Sequence, residues 1–432
     1  MSLELIGLLG VILLLVLLAA RMWNALAMAI IGFFGIAIIR GFGQALTTAG
    51  QTPYLFIGKY ELAVIPMFVL MGMVVSEAGI GAECYYTMNK WFGHMRGGLA
   101  IATTWACALF AAITGMSVSG IVVMSKIALP EMQRYNYDTG LSAGAIAASS
   151  TMGILIPPSI GFVIYGILTE ISIGKLFMAG IIPGILEALF YMITIYIICR
   201  FNPKKGPPGP KSTFKEKVFS LKNTWAVLVL FVLVMGGLYM GVFTPTEAGA
   251  IGAFGAIIIA IVSRKLSTRN FPNILLETGI MTAMILLLMM GVSLFQKFVA
   301  FSELPFAMGN FIAGLAIPRT AVFASIVLMY IILGCFLPAI ATLMLTIPII
   351  YPVILSMGYD PIWYGVIMVR MIEMAGITPP VGIDCFVLSG ISGIPLGTIF
   401  RGVVPFIIAD VCHVALLIAV PSLSLFLPST MM

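Results

Sequence analysis

The chain has 432 residues, 61% of them hydrophobic and only 9% charged, with a mean hydropathy of +1.15. No soluble core needs that much apolar surface, and the apolar runs are continuous rather than alternating, which excludes a β-barrel and leaves an all-α polytopic membrane protein. The formal net charge of +6 sits on basic residues clustered in loops, where it reports orientation and is not a nucleic-acid signature.

Apolar segments fall at 3–20, 25–39, 61–77, 98–129, 140–172, 176–199, 223–243, 246–262, 273–296, 305–317, 320–357, 362–392 and 398–427. Residues 3–20 read as a first span rather than a signal peptide, because they lack a basic leader and a second apolar run follows at once. The stretch 98–129 is too long for one crossing and is interrupted by Thr114, Gly115, Ser117, Ser119 and Gly120. It predicts either a re-entrant helical hairpin, whose irregular tip must line a cavity or be buried in protein, or a small-residue packing helix. In 140–172, Ser142 to Thr151 are nearly all small, and Gly153 is followed by Pro157, Pro158 and Ser159. Two successive prolines remove helical donors from the preceding turn, so this predicts a broken helix with free carbonyls beside Ser149, Ser150 and Thr151. Such an oxygen-rich turn suits Na⁺, and the helix that restarts at Ser159 offers its N-terminus to an anion.

The main polar break is 200–222, where Arg200, Lys204, Lys205, Lys211, Lys215, Lys217 and Lys222 face one acid, Glu216. The positive-inside rule makes this linker cytoplasmic and divides the chain into halves 1–199 and 223–432. The loop at 263–272, with Arg264, Lys265 and Arg269, falls on the same side two spans later; Arg21 would also lie inside.

The second half repeats the first. The second Pro-Pro pair, Pro379-Pro380, lies 379 − 157 = 222 residues after the first, and Pro130/Pro352, Asp138/Asp360, Gly180/Gly402 and Pro183/Pro405 keep that register. Pro338, Ala341 and Thr342 mark a second hairpin in 320–357. Arg370, Glu373, Gly376, Thr378, Gly382 and Asp384 flank the second break, with Arg370 and Glu373 spaced to pair on one helix face. An odd number of crossings per half makes the repeats inverted. Paired broken helices in an internal repeat point to the substrate site of a secondary transporter. Glu187 and Asp410 also fall in apolar segments, at an interface or a functional site. His94 is read as solvated and His413 as a packed neutral side chain, with a proton relay as its alternative. The six cysteines show no metal spacing and read as small buried residues. There is no Walker A sequence and no catalytic constellation, so no enzyme is expected.

The stretches Phe110–Ser117 through Ile156–Ile160, Thr244–Ala253 and Gly376–Gly382 resemble the large membrane subunit (DctM-like) of tripartite ATP-independent periplasmic transporters, over essentially the whole chain. The resemblance implies an elevator-type carrier in the bacterial inner membrane. It also implies Na⁺ as the coupling ion with no other cofactor, a small four-helix membrane subunit, and a periplasmic substrate-binding protein that delivers a small organic anion. The expected Na⁺ ligands are Ser117, Ser119, Gly120, Ser149, Ser150, Thr151 and Gly153 in one half and Thr342, Glu373, Gly376 and Thr378 in the other. The expected substrate contacts are Pro157, Pro158, Ser159, Arg370, Pro379, Pro380, Gly382 and Asp384. The chain departs from the family pattern at the first hairpin tip, Gly115 to Ser119, and at Pro338, Arg370 and Asp384, which makes Arg370 and Asp384 candidates for substrate-specific chemistry. A stand-alone Na⁺/dicarboxylate symporter of the same superfamily is the alternative. A membrane scaffold or intramembrane enzyme is the reading from another class.

Overall fold

The computed structural model describes residues 2–20, 22–267, 269–308 and 318–431, and among these the regular elements are all helices. Eight of the described helices are long and apolar enough to cross a membrane, or nine if the bent pair Phe214–Asn223 and Trp225–Tyr239 is one span.

Each over-long apolar stretch resolves into two helices. The first hairpin consists of Gly98–Thr114 and Ser117–Arg134, turning at Gly115-Met116. Gly115 adopts φ +64, and a Cβ there would strike the carbonyl oxygen of Pro158, so both its conformation and its neighbour require glycine. The second hairpin consists of Arg319–Phe336 and Ala339–Ser356, turning at Leu337-Pro338. The first broken helix is Thr139–Leu155 followed by Ile160–Thr169; the second is Pro361–Ile377 followed by Ile383–Ser392. Asp138 and Asp360, one repeat apart, cap the two broken helices in the same way: each carboxylate accepts backbone N–H groups of the first turn.

The two broken helices run in opposite directions. The first starts beside the basic linker, where Asp138 donates its N–H to the Lys205 carbonyl at 3.0 Å. The second starts beside the far end of the first, where Tyr165 donates its hydroxyl proton to the Pro361 carbonyl at 2.7 Å. The hairpins follow suit. The base of the first meets the linker, with Gly97 N–H on the Gly206 carbonyl, while the base of the second closes near Pro361 with Arg319 on the Met357 carbonyl. The restart Ile160–Thr169 packs on the second hairpin arm Ala339–Ser356, and the restart Ile383–Ser392 packs on the first hairpin arm Ser117–Arg134. A second layer, in contact with both hairpins, pairs Asn24–Arg40 with Phe271–Phe301 and Val64–Glu77 with Pro245–Val262.

Two longer helices, Phe42–Ile57 and Ile80–Phe92, were not among the expected apolar segments, and a short helix, Phe214–Ser220, lies within the polar linker. The two longer ones interleave polar residues with apolar ones, such as Thr47 and Gln51 or Glu83 and Lys90, so a search for continuous apolar runs passes over them. The linker is docked rather than merely polar. Gly209 N–H bonds the Gly93 carbonyl at 2.8 Å, Trp91 donates its indole N–H to Lys217, and Thr87 donates to the Ser220 carbonyl. The loop at 263–272 is tied down by Lys265–Glu83 at 2.5 Å and Asn270–Glu77 at 2.8 Å. His94 is half-buried rather than solvated. Five cysteines are buried and Cys412 is exposed. Arg21 and residues 309–317 of the segment at 305–317 lie outside the described residues.

Candidate functional site

The first half-site is the end of Thr139–Leu155 with the hairpin tip seated on it. A Cβ at Gly153 would lie 2.6 Å from the Met116 carbonyl carbon, and one at Gly120 would lie 3.2 Å from Ser150. These approaches exist because both positions are glycine. The Ser149 hydroxyl meets that of Thr104 at 2.8 Å, Ser150 donates to the Ile146 carbonyl, and Thr151 to the Ala148 carbonyl. Ser117 is buried beside them and Ser119 is half-buried. Pro157 and Pro158, joined by a cis peptide bond, cannot donate to the carbonyls of Gly153 and Ile154. The Ser159 hydroxyl takes the Ile154 carbonyl and also caps the restarting helix by accepting Phe162 N–H. Gly153 is left as the carbonyl that has lost its helical donor.

The second half-site has the same plan. Thr378 N–H bonds the Ala375 carbonyl, so Pro379-Pro380, again cis, deprive the Gly376 carbonyl of its donor. The hairpin tip lies alongside, with Cys335 donating to the Pro379 carbonyl at 3.8 Å. Thr342 is buried and donates to the Pro338 carbonyl at 3.2 Å; Thr378 donates to the Met374 carbonyl at 2.6 Å. Gly382, at φ +59, starts the second restart, and buried Asp384 in its first turn turns back so that a Cβ on Gly376 would lie 3.1 Å from Oδ2. A carboxylate there complements the helix N-terminus. The breaks differ in access: Pro157, Pro158 and Ser159 are buried, whereas Pro379 and Pro380 are exposed.

Between the half-sites lies a buried charge cluster. Arg370 and Glu373 do pair, at 3.6 Å, but Arg370 has further partners. Its Nη1 lies 3.2 Å from Glu187, its Nη2 contacts Asp410 and donates to the Tyr191 hydroxyl at 3.1 Å, and its Nε donates to His413 Nδ1 at 3.3 Å. Arg370 is 0% exposed, so its guanidinium is enclosed by groups of its own chain. Glu373 Oε1 accepts the Ile154 N–H at 3.0 Å. Glu187 and Asp410 thus lie in the cluster rather than at an interface, and His413 is a hydrogen-bond acceptor within it. Tyr191 is the member that sequence reasoning missed. One signal was present: 191 + 222 = 413, so Tyr191 occupies the repeat position of His413. Ser149, Ser150, Gly153, Ser117 and Gly120 are brought together in one half; in the other, Gly376 and Thr378 adjoin the break and Thr342 lies on the second hairpin arm, while Thr151 and Glu373 reach into the cluster between.

Opposed hairpins, each seated on a broken helix, define a polytopic membrane carrier of the internal-repeat type. Known proteins agree. The model of the tripartite ATP-independent periplasmic transporter DctM component matches residues 11–423, and the chain belongs to that family. It is 36% identical over 371 residues to a C4-dicarboxylate TRAP transporter large permease protein DctM of Pseudomonas aeruginosa, covering 86% of each chain. It is 33% identical over 374 residues to a sialic acid TRAP transporter large permease protein SiaM of Vibrio cholerae, covering 86% of this chain and 87% of that protein. These relatives are transporter permeases, not enzymes. Among solved structures, the Alcanivorax borkumensis YdaH transporter shares the fold, with a TM-score of 0.66 at 15% identity over 88% of both chains.

Proposed function

We propose that this chain is the large subunit of a Na⁺-coupled importer of a small organic anion, a carboxylate such as a dicarboxylate or sugar acid. The observation that carries the ion reading is the pair of carbonyls, Gly153 and Gly376, that the prolines strip of donors, each with hydroxyl oxygens nearby. Ser117, Ser119, Gly120, Ser149, Ser150 and Gly153 form the first Na⁺ half-site and Thr342, Gly376 and Thr378 the second, while Thr151 and Glu373, expected as ligands, act through the charge cluster they bond to. The anion lies between the hairpin tips, facing the helix start at Ser159 and bounded by Pro157, Pro158, Pro379, Pro380 and Gly382, while Asp384 already complements the second helix start. Arg370 acts through its cluster, since its guanidinium is already enclosed. The named substrates of the two relatives, a C4-dicarboxylate and sialic acid, support a carboxylate.

The protein works in the bacterial inner membrane with a small four-helix subunit and a periplasmic substrate-binding protein. The hairpins and broken helices of the inverted halves, 1–199 and 223–432, move as an elevator past the layer built on Asn24–Arg40 and Phe271–Phe301. Uptake in proteoliposomes holding all three components tests this. A Na⁺ gradient drives uptake, and Ser149→Ala and Thr378→Ala each raise the Na⁺ concentration for half-maximal rate. Unchanged Na⁺ dependence in both variants sinks the ion sites, and uptake by this chain alone favours the stand-alone symporter.

A further inference from the structure

The groups between the two breaks form a closed circuit. Thr151, in the last turn before Pro157, donates to Glu187 at 3.4 Å, and Glu187 lies 3.2 Å from Arg370 Nη1. The same nitrogen lies 3.6 Å from Glu373, whose other oxygen accepts the N–H of Ile154, three residues after Thr151. The circuit therefore leaves and re-enters the first broken helix within one turn. Its middle sits on the second broken helix, about two turns before Thr378. The remaining groups facing Arg370 are Asp410 and His413 from Leu396–Ala419 and Tyr191 from Ile173–Phe201. Arg370, Glu187, Asp410 and His413 are all 0% exposed.

We propose that Arg370 and Glu187 are positioning residues that couple the two half-sites, so that ion occupancy at the first break sets the geometry of the second. Opposite charges in a dry interior resist separation, because each left alone is uncompensated. A shift of the first broken helix's last turn moves Thr151 and Ile154 together. It therefore pulls Glu187 and Glu373, and through both of them Arg370. The cluster also has a second arrangement within reach. Glu187 Oε2 and Asp410 Oδ2 are buried without a hydrogen-bond partner, while Glu373 Oε2 already holds the 3.6 Å ion pair with Nη1, so the guanidinium has two further acceptors to turn to. Two discrete arrangements biased by both sites are what energetic coupling requires.

This inference rests on the Na⁺-coupled reading, and one experiment separates the two. Substrate KM is measured in proteoliposomes with the full complement of subunits at low and at saturating Na⁺. In the unaltered protein Na⁺ lowers KM by about 5-fold or more, the lower end for coupled sites. In Glu187→Gln and Asp410→Asn that ratio falls toward one. Tyr191→Phe removes a single hydroxyl, keeps the packing, and moves the ratio the same way should either carboxylate variant fail to fold. A purely structural role lowers Tm and leaves the ratio intact. A KM insensitive to Na⁺ in the unaltered protein overturns the Na⁺ reading and the coupling with it. A Na⁺-sensitive KM whose ratio persists in all folded variants overturns the coupling alone.

Discussion

Glu373 accepts the backbone N–H of Ile154 at 3.0 Å, a bond between the two broken helices that spans 219 residues of sequence. It makes the charge cluster part of how the halves are fastened, and it fixes what removing the central cation does. Arg370→Met leaves Glu187, Glu373 and Asp410 buried without their counter-charge. Stranding a buried charge costs about 3–5 kcal/mol, enough to lower the yield of folded protein and the unfolding temperature in detergent. Adding Asp410→Leu to that variant removes one stranded carboxylate and recovers part of the loss. An Arg370→Met protein that unfolds at the original temperature contradicts the cluster.

The repeat predicts matched caps. Asp360 accepts the N–H groups of Ile362 and Trp363 at 2.8 and 2.9 Å, and Asp138 accepts that of Leu141 at 2.9 Å. Asp360→Ala and Asp138→Ala each lose about 1 kcal/mol, while the Asn variants, which keep a capping oxygen, lose little. Thermal unfolding of the four purified proteins decides this. Equal losses for Ala and Asn at either site rule out capping as the role of that aspartate.

The pairing of these two aspartates at the 222-residue register was legible in the sequence, whereas their capping role came from the structure, and the cluster shows why more was not legible. Prolines and glycines act on their own turn, so Pro157-Pro158, Pro379-Pro380 and Gly115 mark breaks wherever the chain goes next. The 222-residue register then relates one set of breaks to the other. Arg370 is different. Its pairing with Glu373 follows from helical spacing, but its contacts with Glu187, Tyr191, Asp410 and His413 depend on how three other helices pack. The helix Ile80–Phe92 escaped for another reason: its buried face of Ile80, Gly81, Cys84 and Tyr85 is interleaved along the sequence with Glu83, Asn89 and Lys90 from the other face, so no continuous apolar run appears.

The linker's docking predicts slow hydrogen exchange in a stretch whose composition reads as an open loop. Gly97, Asp138 and Gly209 each donate an N–H across the linker contact, to the carbonyls of Gly206, Lys205 and Gly93. Protection at these three amides above that of exposed loop residues is expected. Replacing 203–209 with a Gly/Ser segment of equal length exposes the Gly97 amide at the base of the first hairpin. Fast exchange at all three sites in the unaltered protein refutes the docking.

The small-residue face of Thr139–Leu155 makes the sharpest steric prediction, because it brings a helix backbone within contact. Gly402, the repeat counterpart of Gly180, lies so near Gly140 that a Cβ would sit 2.7 Å from its carbonyl carbon. Gly144 meets the backbone of Gly402 from the other direction, with a Cβ 3.0 Å from its Cα. Neither neighbour is a flexible side chain, so the helices must separate to admit a methyl group. Overpacking of this kind costs about 1–3 kcal/mol. It also displaces the first broken helix, so Gly402→Ala lowers both Tm and uptake, and Gly402→Val does so more severely. Gly390 is the internal control: a Cβ there meets nothing within 4 Å, so Gly390→Ala leaves both close to those of the unaltered protein. Equal tolerance of alanine at positions 402 and 390 rules out the close crossing of Thr139–Leu155 and Leu396–Ala419.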